Sequence, residues 1–185
     1  NDNPAEDTFD VSYVLTGKMN PRDGALGKYS AAFGWGNTAQ GRSDFVAGER
    51  NYTNQNAATA FGQGNYVNAK YASGIGANNL LTDGSNYSFV TGDKNELRDL
   101  RVSFVSGGQN VVEYGQYTTI GGRFNKAKYL NNTLVLGSNN NLEGASDNSS
   151  IDNIILGSDI AASKLGSKNI TIGSKINLTD ENTGN

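Results

Sequence analysis

The chain has 185 residues, 36% of them apolar and 18% charged, with a formal net charge of -3 at pH 7. That length supports one domain or one stacked repeat array. The absence of Cys and His removes thiol nucleophiles, disulfides, imidazole bases and the usual zinc and haem ligand sets, and the acidic balance argues against general nucleic-acid binding.

The chain opens at Asn1 rather than Met and is expected to be part of a longer protein. Its first recognisable element is SYVLTG, closing at Gly17. From Tyr29 onward the run YSAAFGWGNTAQG recurs in variant form. The Gly that closes each apolar run falls at Gly34, Gly48, Gly62, Gly76, Gly92, Gly107, Gly122, Gly137, Gly157 and Gly173, in steps of 14, 14, 14, 16, 15, 15, 15, 20 and 16. With Gly17 that makes eleven registers. Three residues after the Gly stands Asn20, Asn37, Asn51, Asn65, Asn79, Asn95, Asn110, Asn125 or Asn140, with Ile160 and Ile176 in the last two registers.

Two residues before the Gly the side chain is small or β-branched, from Ala32 through Val90 and Ile120 to Thr171, with Leu15 in that position in the first register. That is what the inside of a narrow tube requires. The residues one and three before the Gly lie on the opposite face, because strands alternate with period two. They include Phe45, Phe61, Phe89, Phe104, Leu134 and Ile154, so the strand is apolar on both faces and is expected to be buried on both. A second apolar row stands five residues after the Gly, from Ala39 through Val67 and Leu97 to Leu178, with Arg22 and Thr53 as exceptions. Each unit is therefore two strands and two turns, too short for a helical repeat. The Gly is expected to serve a sharp turn or a close approach. The Asn has two readings: a residue tolerating the left-handed region, or a rung of a side-chain amide ladder. The 20-residue step is read as one coil carrying a longer loop over 141–153.

Runs such as YSAAFGWGNTAQG, NAATAFGQGN and YASGIGANN resemble the head repeats of YadA-like trimeric autotransporter adhesins. The resemblance spans about residues 12–178. It implies an all-β solenoid, a left-handed parallel β-roll of about eleven 14–16-residue coils, as a single head domain over 1–185. It further implies a homotrimer, carried on the bacterial cell surface and anchored in the outer membrane by regions outside this chain. The implied function is attachment to host extracellular matrix, epithelial receptors or other bacteria. A structural spacer in a surface fibre is the alternative. Two departures stand out: Val and Ile replace the family's usual Ala two residues before the Gly from Val90 to Ile155, and no neck motif or heptad pattern follows Ile176. The resemblance supplies no ligand-contact residues.

Nothing in the chain points to catalysis: no GxSxG elbow, no GK[ST] phosphate loop and no nonapeptide calcium repeat occurs. No cofactor and no metal are expected. Outward aromatics are the informative exceptions. Trp35 follows its Gly in a row of mostly polar or small residues, Phe124 breaks the next row, and Tyr52 and Tyr66 occupy matching positions in neighbouring coils. These four are the candidate partner-binding residues. Phe89, Phe104, Leu134 and Ile154 are the candidate trimer-interface residues.

Overall fold

The computed structural model describes residues 9–12, 23–144 and 150–178. These residues form an all-β solenoid of about ten turns, with parallel strands and no helix. The first strand of each turn joins an eleven-stranded sheet, from Phe9–Ser12 and Ala31–Trp35 to Ile170–Ser174. The second strand joins another sheet that starts at Gly24–Ala25 and ends at Asn177–Leu178.

The register follows the glycines. Gly34 pairs with Gly48, Gly48 with Gly62, and the series continues through Gly92, Gly107 and Gly137 to Gly157 and Gly173. The first turn departs from expectation. Ser12, not Gly17, lies opposite Gly34, and Ala25, not Arg22, opens the inner row opposite Ala39. Leu15, Gly17, Asn20 and Arg22 lie outside the described residues.

Inside the tube, Ala32, Val46, Ala60, Val90, Val105, Ile120, Val135 and Ile155 face Ala39, Thr53, Val67, Leu81, Leu97 and Leu142, all essentially inaccessible to solvent. Large and small residues complement each other across this thin layer. A Cβ on Gly74 would come within 2.9 Å of Val67 Cγ2, so the absence of a side chain there makes room for valine.

The glycine row meets both of its expected requirements. Gly107 has φ +107°, and a Cβ on it would lie 1.9 Å from the carbonyl oxygen of Gly122. The left-handed residue at that corner is not the Asn, however. It is the residue before it: Arg50, Asn78, Lys94, Gln109 and Phe124 have φ between 53° and 57°. The Asn points inward and builds the ladder. Asn51 Nδ2 donates to Asn37 Oδ1 at 3.1 Å, and the same bond links every rung up to Asn140 and Asn125 at 2.9 Å. Each Oδ1 also accepts the backbone N–H of the next rung, as Asn37 Oδ1 does from Asn51 at 2.9 Å. The ladder ends where the sequence changes: Ile160 N–H still donates to Asn140 Oδ1 at 3.0 Å, but Ile160 has no amide to pass on.

The turns that lengthen past 14 residues differ in kind, and a unit of two strands does not describe them. Asp99, Tyr114 and Tyr129 are each an inserted residue with φ between 52° and 56°. Each bends the second strand, and pairing resumes beyond the bend, Leu100 with Gly115, Arg101 with Gln116, Gln116 with Asn131 and Leu130 with Ser150. This third row adds Leu100, Leu130 and Leu165 to the buried interior. The turns that carry Asp99, Tyr114 and Tyr129 have Val90, Val105 and Ile120 two residues before the Gly, each fully buried, where Ala would leave a void. The expected loop over 141–153 is also smaller than its range: Asn141–Gly144 and Ser150–Ile151 are strand, and only residues 145–149 lie outside the described ones.

One buried carboxylate lies in the other corner. Asp44 accepts N–H bonds from Gly41 and Ala58 at 2.8 and 2.9 Å. Burial pushes its carboxyl above the ordinary 3.8, against the opposing effect of its hydrogen bonds from Thr53, Ala58 and Gly41. The folded state therefore keeps a proton that the unfolded chain has already lost, and ionised Asp44 weighs against folding above that window. As pH falls from neutral toward the ordinary carboxylate range, the wild type should gain stability relative to Asp44→Asn. Urea midpoints of both proteins at about pH 7 and about pH 4 measure the difference. Parallel pH profiles would show that Asp44 titrates normally.

Candidate binding surfaces

The outer face of the first sheet is built by the residues one and three before each Gly. From Ala31 to Ile172 none of them is Asp, Glu, Lys or Arg. Phe45, Phe61, Phe89, Phe104, Leu136, Ile154, Ile170 and Ile172 are all exposed there. Strand register stacks them: Phe89 pairs with Phe104, and their rings lie parallel at 5.8 Å. Leu134 pairs with Ile154 two turns further on, Leu134 half-buried and Ile154 exposed. The four candidate interface residues thus share one uncharged row, as two apolar pairs separated by Thr119.

The four candidate partner-binding residues do not come together. Trp35 ends a strand of the first sheet instead of standing on a turn. It is half-buried, with the Arg50 guanidinium 4.2 Å from its ring centre. Phe124 lies on the same rim six turns away, about 29 Å at the ~4.8 Å strand spacing. It is half-exposed in the left-handed region, with Arg123 over its ring. Tyr52 and Tyr66 sit on the second sheet, paired in register and stacked with centroids 4.8 Å apart. The Tyr52 hydroxyl donates to Gln40 Oε1 at 2.8 Å.

Three further surfaces emerge that the sequence reading did not single out. One is a tyrosine rim on the corner opposite the Asn ladder, where Tyr29, Tyr71, Tyr87 and Tyr117 all have positive φ and are 48–60% exposed. Lys28 and Arg42 lie over the Tyr29 ring, and Tyr71 stacks on Tyr87 at 5.1 Å. These tyrosines stand five residues before their Gly, a spacing that was available in the sequence but interrupted by Ser43, Ala57 and Val102.

The second is a shallow groove of about 290 Å³ on the second sheet over Ala127 and Leu142. One wall of it belongs to a column of alternating charge, Arg98, Glu113, Lys128 and Glu143, in which Arg98 meets Glu113 at 3.0 Å and Lys128 meets Glu143 at 4.0 Å. Arg98 also pairs with Glu96. Parallel register sets like positions side by side, so alternation turns repulsion into attraction.

The third is a cleft of about 170 Å³ on the third row, bounded by Asp99, Arg101, Tyr114, Gly115, Gln116 and Asn131. Among the described residues no group of three or more His, Cys, Asp or Glu is placed to hold a metal ion. Comparison with protein-family models, with curated proteins and with solved structures finds no match in any of the three.

Proposed function

We propose that the chain is the head of a trimeric surface adhesin of the YadA-like kind, a left-handed β-roll of 14–16-residue coils that attaches a bacterium to host matrix, epithelial receptors or another bacterium. The observation that carries this reading is the uncharged, aromatic-rich outer face of the first sheet. A patch of that extent, with exposed rings and aliphatic side chains from Phe45 to Ile172, calls for a protein partner. A symmetric ring of identical copies covers it and stops at a fixed number. Three is the number that the resemblance implies. Anchorage in an outer membrane through regions outside this chain belongs to the same proposal. The rims and the second sheet then remain for the ligand, with Trp35, Tyr52, Tyr66 and Phe124 as candidate contacts.

Light scattering tests the assembly, and retention on immobilised matrix proteins and epithelial cells tests the activity. The expected mass is three times 19.6 kDa. Phe89→Asp with Phe104→Asp should dissociate or unfold the trimer, because each places a charge on the covered face. Trp35→Ala should weaken retention about 30-fold, the effect of losing an anchor of ~2 kcal/mol, with little change in the melting curve. A monodisperse wild-type monomer would overturn the assembly, and a wild-type trimer with no retention on any surface would overturn the adhesive role.

A further inference from the structure

We infer that the cleft on the third row is a binding site for a single neutral pyranose unit of a glycan, seated on the Tyr114 ring. Asp99, Tyr114 and Tyr129 occupy one row, each brought outward by the same left-handed bend. Tyr129 covers one face of the Tyr114 ring, with centroids 5.3 Å apart. On the other side the row continues with the much smaller Asp99, which lines the cleft of about 170 Å³ together with Tyr114. Gly115 forms its floor, at a position where a Cβ would meet the Leu130 carbonyl oxygen at 2.3 Å.

The chemistry around the ring is mixed in a way that suits hydroxyls. Among the described residues the ion pairs engage Arg98, Glu113, Glu96 and their like, and none engages Asp99 or Arg101. A carboxylate that accepts and a guanidinium that donates therefore line the same cleft as Tyr114 without pairing with each other. Asn131 Oδ1 accepts the Gln116 N–H at 2.9 Å, which fixes that amide at the rim. The face of an aromatic ring is its negative side and attracts the weakly positive C–H bonds on one side of a pyranose. Asp99 then takes two neighbouring hydroxyls, and Arg101 donates to an oxygen acceptor. An apolar ligand would leave both charges unanswered, and a ligand of one strong charge would be repelled by one of them. A neutral polyol with an apolar face fits both.

The site deepens the adhesive reading and rests on it for a cell-surface partner, but its chemistry can be tested alone. The probes are the methyl glycosides of glucose, galactose, mannose and N-acetylglucosamine, each at millimolar concentration, followed by saturation-transfer NMR on the intact protein. At least one should bind, and Tyr114→Ala should weaken it about tenfold or more, while Tyr114→Phe retains it. Asp99→Asn keeps a residue type that tolerates positive φ and should weaken the same glycoside with an unchanged melting curve. No binding by any of the four, or binding that Tyr114→Ala and Asp99→Asn leave unchanged, would overturn the site. Cell attachment separates the two ideas: attachment without glycoside binding removes the site alone, and glycoside binding without attachment removes the adhesive role alone.

Discussion

Gly107→Ala is expected to disrupt the stack, at a cost on the order of 3–5 kcal/mol, in the extreme tail of single substitutions. Two effects coincide. The added methyl sits 1.9 Å from the Gly122 carbonyl oxygen, and φ is +107°, where an L side chain is strained. The carbonyl cannot simply swing aside, because Asn110 Nδ2 donates to it at 3.0 Å. Gly36→Ala provides the comparison. Its φ of +61° lies in the ordinary left-handed region, and the nearest atom to an added Cβ is Arg50 Cγ at 3.4 Å. That change should cost only ~1–2 kcal/mol. Urea unfolding of both variants measures the difference; equal losses would mean that the close approach between turns carries no weight.

Asn95→Leu is the second large effect, about 2–3 kcal/mol. Leucine fills similar space but neither accepts nor donates. Asn95 Oδ1 takes both the N–H of Asn110 at 3.2 Å and its amide at 2.8 Å. Asn95 Nδ2 donates to Asn79 Oδ1 and to the Gly107 carbonyl, each at 3.0 Å. Removing the amide leaves the Asn110 N–H without that acceptor in a site closed to water. Ile160→Asn reverses the experiment, since it extends the ladder by one rung from Asn140 and should cost less than about 1 kcal/mol. If Asn95→Leu costs no more than about 0.5 kcal/mol, the amide chain contributes little to stability.

What the sequence made legible was whatever repeats at every turn. The glycine register, the inner row ending at Leu178 and the Asn ladder are all periodic, and periodicity is visible without coordinates. The division of labour at the corner was not visible. Asn tolerates positive φ, but here that conformation falls on Arg50, Lys94 or Phe124, whose side chains it turns outward, while the Asn turns inward. Residue preference alone does not distinguish neighbours when one must face in and the other out. The third row was hidden for a related reason. Its only signal is one extra residue at Asp99, Tyr114 and Tyr129, which reads as a looser period until the pairing of Arg101 with Gln116 shows a new edge. The cleft depends on that edge. Single aromatics such as Trp35 were easy to notice, but prominence in sequence did not predict company in space.

The parallel stacking has a mechanical consequence. The inter-strand hydrogen bonds run along the stack, from Ala31 toward Ile170, rather than across it. Tension between the two ends therefore loads the bonds of one turn in series with those of the next, the weaker peeling geometry rather than shear. The turn with the fewest bonds should yield first, and its neighbours should hold until it is spent. Each yielding turn exchanges ~4.8 Å of stacked height for about 50 Å of extended chain. Under a pull along its axis the protein should thus give way in a series of similar steps, dissipating energy turn by turn instead of failing at once.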